Sequence, residues 1–111
     1  MPIEVKLFSF PFTVDNRNLH RPEVLEGSGQ SLTVSDTIEV TDGKVPIPNV
    51  GFVGFGRDKN FGVFISHIRK VPNERDSSPA VIEQIGPGET HPIYLPAGKN
   101  RSRVYGTATF K

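Results

Sequence analysis

A glycine or proline falls about every five residues along this chain, with eleven Gly and ten Pro in 111 positions. Proline lacks the backbone donor that a helix interior needs, and glycine there costs ~1 kcal/mol relative to alanine. Windows long enough for a stable α-helix are therefore almost absent, and the segments between breaks are expected to fold as short strands. Pro22-Glu23-Val24-Leu25-Glu26 can form one helical turn with proline at its first position.

The longest apolar runs lie in 50–56 and 61–69, separated by Arg57-Asp58-Lys59-Asn60, the kind of polar break that closes a hairpin. On the second strand Phe61, Val63 and Ile65 share one face, while Phe64 and Ile68 share the other. Both faces are apolar, so the hairpin is expected mid-sheet with a cover on each side. One cover is the domain's own core. The other is a second segment of the chain or another subunit.

Residues 3–12 alternate with Ile3, Val5 and Leu7 on one face, then Phe8, Phe10 and Phe12 on the opposite one. Strand side chains repeat with a period of two, so this flip requires a bulge, a bend between sheets, or an arm that changes partner. Pro11 places the later half at an edge or off the sheet. Residues 13–30 read as a surface excursion, Ser31–Val40 as a half-buried strand, and Asp42-Gly43 as a turn. Pro46 and Pro48 hold an extended link to the hairpin, and Val71–Pro79 forms a solvent loop. Ala80–Ile85, Thr90–Leu95 and 101–110 are strands, divided by turns at Gly86–Glu89 and Pro96–Asn100. On the last strand Val104, Ala108 and Phe110 share one face, with Arg101, Arg103, Tyr105, Thr107 and Thr109 opposite. Seven or eight short strands in one domain indicate an all-β fold, a β-sandwich or small barrel. Residues 1–30 would be arm and excursion, and 31–111 the main sandwich.

With no Cys, a disulfide framework and thiol chemistry are excluded. Lys plus Arg is 13 and Asp plus Glu is 12, so no overall field draws the chain to nucleic acid or to an anionic membrane. The sequence has no basic region followed by an apolar run and no membrane-spanning stretch, and is read as soluble and untargeted. His20, His67 and His91 lie outside ligand spacing of one another, and His67 continues the Phe61-Val63-Ile65 face as a core or interface imidazole bonded to a backbone carbonyl. A fold that gathered the three with Asp or Glu would be compatible with zinc, but their spacing does not argue for it. No metal, cofactor or catalytic residue is expected. The glycines at 51, 54, 56 and 62 lack a phosphate-binding spacing and make room for Phe rings or a partner's backbone on the sheet. Lys99, Arg101 and Arg103 are the densest basic patch, with Tyr105 two residues on along the same face.

The chain's size and its Ile85-Gly-Pro-Gly-Glu-Thr-His-Pro-Ile-Tyr-Leu-Pro-Ala-Gly98 turn-strand-turn segment resemble the small β-rich decoration, or cementing, proteins of tailed-phage capsids, including the staple-like proteins of epsilon-15 and its relatives. The resemblance implies a jelly-roll-like sandwich with an extended N-terminal arm. It also implies a non-catalytic role stabilising a viral shell from outside, contacts with the major capsid protein and with itself as a homodimer or higher oligomer, and a place on the outer capsid surface of the virion after synthesis in the host cytoplasm. The interface residues would be Phe8, Phe10, Phe12, Lys99, Arg101, Arg103 and Tyr105. The alternative is an OB-like or sugar-binding module. In the OB-like form Phe52, Phe55, Phe61 or Phe64 would stack on single-stranded bases while Arg57, Lys59, Arg69 and Lys70 follow the backbone. Against a sugar site, Trp is absent and only Tyr94 and Tyr105 could form platforms.

Overall fold

In the computed structural model of the chain, residues 2–25, 34–48, 50–60, 62–67 and 82–111 are described. Phe61, Ile68, Arg69 and Lys70, Leu32 and the start of its strand, and the loop from Val71 to Pro79 lie outside them. The fold is all-β, with two antiparallel four-stranded sheets. The strands are β1 (Ile3–Asp15), β2 (Val34–Val40), β3 (Gly43–Ile47), β4 (Gly51–Asp58), β5 (Gly62–Ser66), β6 (Ile82–Gln84), β7 (Thr90–Gly98) and β8 (Arg101–Phe110). One sheet runs β2-β1-β8-β7 and the other β3-β4-β5-β6. Among the described residues, helix is confined to a 3-10 turn at Asn16–Asn18 and to α1, Pro22–Leu25, the single turn begun by proline that the sequence indicates.

Every hydrogen-bonded neighbour is also a neighbour in sequence, except where β8 returns to pair with β1. A jelly roll interleaves its strands through two Greek keys; here the hydrogen-bonded neighbours are consecutive strands apart from β8 and β1, so the order departs from that expectation. The β4–β5 hairpin occupies the middle of its sheet as expected. Its strands reach Asp58 and resume at Gly62, so the turn falls later than Arg57-Asn60. There the Asp58 carboxylate accepts from the Asn60 amide at 2.6 Å, and Gly62 takes a φ of 74°. Two further expectations shift. The Pro46 segment pairs along β4 as strand β3, tolerated because β3 is an edge, and β7 continues through Pro96 to Gly98 before turning at Lys99-Asn100.

The main core lies between the sheets. Ile3, Val5, Leu7, Ile93, Ala108 and Phe110 from one sheet meet Val45, Ile47, Val53, Phe55, Val63 and Ile65 from the other. Residues 3–7 are thus an inner strand, and the irregularity of the N-terminal segment begins beyond Leu7. Leu7 pairs with Gly106 and Phe12 with Val104, so residues 8–11 of β1 stand opposite Tyr105 alone. Across β8, Ile93 and Tyr94 are adjacent, yet they pair with those same two residues, Gly106 and Val104. Both neighbours of β8 therefore lose register at Tyr105. Past this break a second cluster forms from Val14, Leu19, Tyr94 and Val104, with Phe8, Phe12 and Val24 against it. The phase flip at Leu7-Phe8 is the chain's passage from one core to the other.

Candidate functional site

The 3-10 turn and α1 place His20. Its neighbour Leu19 is buried in the second cluster, and Leu25 is buried at the end of α1. The Asn16 amide donates to the Asn100 carbonyl at 3.0 Å, and the Ser102 hydroxyl to Asn16 Oδ1 at 2.7 Å. These contacts tie the segment to the β7–β8 turn and leave the His20 ring 53% exposed. His67 extends the buried face of β5 beyond Val63 and Ile65 and is itself only 2% exposed. Glu83 sits at the middle of β6 opposite Ile65, and His91 and Tyr94 are on β7. β6 and β7 are edge strands of different sheets, joined by the short connection through residues 85–89, and the side chains of this group meet across the seam between them.

Glu83 is the hub. Its Oε2 lies 3.1 Å from His67 Nε2 and 3.2 Å from His91 Nδ1. Its Oε1 accepts from the Tyr94 hydroxyl at 3.5 Å and lies 3.8 Å from His20 Nε2. The far nitrogen of His91, Nε2, meets Glu89 Oε2 at 3.1 Å. Glu89 is fixed in turn by the Gly86 amide, which donates to its Oε1 at 2.7 Å. His67 and Tyr94 stack with centroids 4.4 Å apart, and His20 meets His91 edge-on at 5.9 Å. His67 Nδ1 is buried with no partner among the described residues. A buried N–H left unpaired costs more than a lone pair, which assigns the proton to Nε2 and makes His67 a donor to Glu83. The expected backbone-carbonyl partner for this imidazole is thus replaced by a carboxylate.

These contacts set the ionisation of the group. Hydrogen bonds from His67 and then His91 hold the Glu83 carboxyl far below the usual carboxylate range, outweighing its partial burial. The bond to Glu83 raises the His91 imidazole above its ordinary value against desolvation, with Glu89 assisting. Burial, followed by the charge of Glu83, pushes the Tyr94 phenol up. The seam therefore carries a fixed anion surrounded by imidazoles. The donor atoms of His20, Glu83 and His91 all lie within 4.8 Å of one another, close enough to share a cation.

The residues expected at an interface separate. Phe8 and Phe12 turn into the second cluster with their rings 5.5 Å apart, while Phe10 stands 77% exposed. Lys99, Arg101 and Arg103 are exposed; the two arginines alternate with buried Ser102 and Val104 and so occupy the other face of the sheet from Phe8 and Phe12. Tyr105 packs half-buried against the main core and does not stand free beside them. On the outer face of the hairpin, Phe52 is 58% exposed and the Phe64 ring lies over Gly56, as the glycine spacing indicates; a Cβ at Gly56 would sit 2.8 Å from that ring. A groove of about 620 Å³ opens there, lined by Lys44, Val50, Phe52, Gly54, Phe64 and Ser66, among others. Phe55 is buried in the core and so is not available to stack on a base.

Comparison of the chain with protein families, curated proteins and solved structures returned no match. Among the described residues, no helix is long and apolar enough to cross a membrane.

Proposed function

We propose that the protein is a non-catalytic structural component that binds the outer surface of a viral capsid shell and stabilises it, in the manner of the tailed-phage decoration proteins it resembles. On this reading the two sheets form a sandwich that serves as a rigid block, and binding lies in the faces left open. The observation that carries the reading is the outer face of the β4–β5 hairpin, where Phe52 stands open beside the half-buried Phe64 on a floor cleared by Gly54 and Gly56. Monomeric proteins seldom leave an aromatic patch at mid-sheet without a partner for it. That face seats an apolar segment of the major capsid protein. Lys99, Arg101 and Arg103 supply a basic rim, which orients docking more than it adds affinity.

The test is occupancy on purified capsid shells, read by co-sedimentation, with native mass measured in parallel. Phe52→Ser is expected to lower occupancy at least tenfold while leaving the melting temperature of the free chain within a few degrees, since the ring contributes little to the core. Full occupancy of the variant would remove this face from the interface. Salt-dependent binding to single-stranded oligonucleotides, lost on Phe52→Ser, would favour the nucleic-acid alternative.

A further inference from the structure

We infer that His20, Glu83 and His91 form a binding site for one divalent cation of the zinc type, set in the seam between the two sheets. The donor set selects the class of metal. Two imidazoles and one carboxylate suit zinc, copper, nickel or ferrous iron, and a hard cation such as magnesium or calcium would require more oxygens. Zinc bonds of about 2.0–2.1 Å place tetrahedral ligand atoms about 3.3 Å apart. His91 Nδ1 already stands 3.2 Å from Glu83 Oε2, and His20 Nε2 is 3.8 Å from Oε1. The full set spans no more than 4.8 Å, so a rotation of the exposed His20 ring brings it into range.

The surroundings are those of a supported ligand set. Without metal His91 donates to Glu83 from Nδ1 and to Glu89 from Nε2; a cation displaces the Nδ1 proton while Glu89 keeps the Nε2 proton, the carboxylate–imidazole–metal arrangement that orients a ligating histidine. Glu89 is itself held by the Gly86 amide. His67 donates to Glu83 Oε2 from a fully packed position, and Tyr94 reaches Oε1, so the carboxylate is oriented from two sides. His20, Glu83 and His91 come from the turn before α1, from β6 and from β7. β6 and β7 are the free edges of different sheets. A cation there clips the sheets together and leaves its fourth position open toward solvent beside His20.

The test uses the full chain without an affinity tag, stripped with EDTA and titrated with zinc chloride by calorimetry. Melting curves and the visible absorption of a cobalt-loaded sample are recorded alongside. The expected result is one zinc per chain, a melting temperature several degrees higher with metal, and the absorption of tetrahedral cobalt. His20→Ala is expected to melt like the stripped wild type, because its ring is largely outside the core, and to bind zinc at least tenfold more weakly. Glu83→Gln should abolish binding. Absence of saturable binding by the wild type, or unchanged affinity in His20→Ala, overturns the assignment. None of these readouts depends on capsid attachment, so this inference and the proposed function can fail separately.

Discussion

Gly106→Ala is expected to be among the most damaging single-methyl changes in this molecule. Gly106 lies on β8 where both neighbouring strands lose register, paired with Leu7 on one side and Ile93 on the other. A Cβ added there would strike the Lys6 carbonyl oxygen and sit 3.1 Å from Leu7 Cα, both backbone atoms of an inner strand. Carbon atoms pack at about 3.5–4.0 Å, so β1 and β8 must part by roughly half an ångström or more. Overpacking of this kind costs about 1–3 kcal/mol. Stretching one or two ladder hydrogen bonds adds about 1 kcal/mol, and the stiffer unfolded chain returns only about 0.4–1 kcal/mol. The net destabilisation is about 2–3 kcal/mol, which for a domain of this size lowers the melting temperature by about 10–20 °C. Gly54→Ala is the control. Its Cβ would meet only Ser66 Cβ, at 3.5 Å, an ordinary contact, so it should be neutral or stabilising by up to about 1 kcal/mol. Urea denaturation of both variants, with the slope compared to confirm two-state unfolding, measures the difference. A Gly106→Ala midpoint equal to wild type would show that β1 and β8 do not approach closely at Gly106, and the two-core account of the fold would fall with it.

Ile65→Ala, at a fully buried position of the central hairpin, should cost about 2–5 kcal/mol through lost burial and a cavity, seen as a lower denaturation midpoint with unchanged slope. The triple change of Lys99, Arg101 and Arg103 to Ser should leave the melting temperature nearly unchanged, because all three are exposed. It should weaken shell attachment severalfold at low salt and progressively less as salt rises, measured as particle occupancy across a salt series. Phe12→Ala should destabilise the isolated chain measurably, whereas Phe10→Ala should not, because Phe12 packs on Phe8 in the second cluster and Phe10 is open; thermal melts of the two variants distinguish them.

Strand parity made much of this fold legible, and the same parity explains what was hidden. A period of two is strict, so the switch from Ile3-Val5-Leu7 to Phe8-Phe10-Phe12 had to register as a break in pairing, and the break is there. The extent of β8 and the proline-started turn of α1 were readable for similar local reasons. Strand β3 was hidden by Pro46, because whether a missing donor matters depends on which edge faces solvent, and that is settled only by strand order. The His20–Glu83–His91 group was hidden more completely. Its members come from a surface turn and from two strands that share no hydrogen bonds, so no spacing in the sequence marks them. Glu83 becomes informative once the register places it opposite Ile65 on the way to His67. An acid turned inward on a three-residue edge strand can guard that edge against pairing with another chain, but a guard needs neither two imidazoles on its carboxylate nor a second acid behind one of them. Those added partners distinguish a site from a safeguard, and they come into view only when the two sheets are placed together.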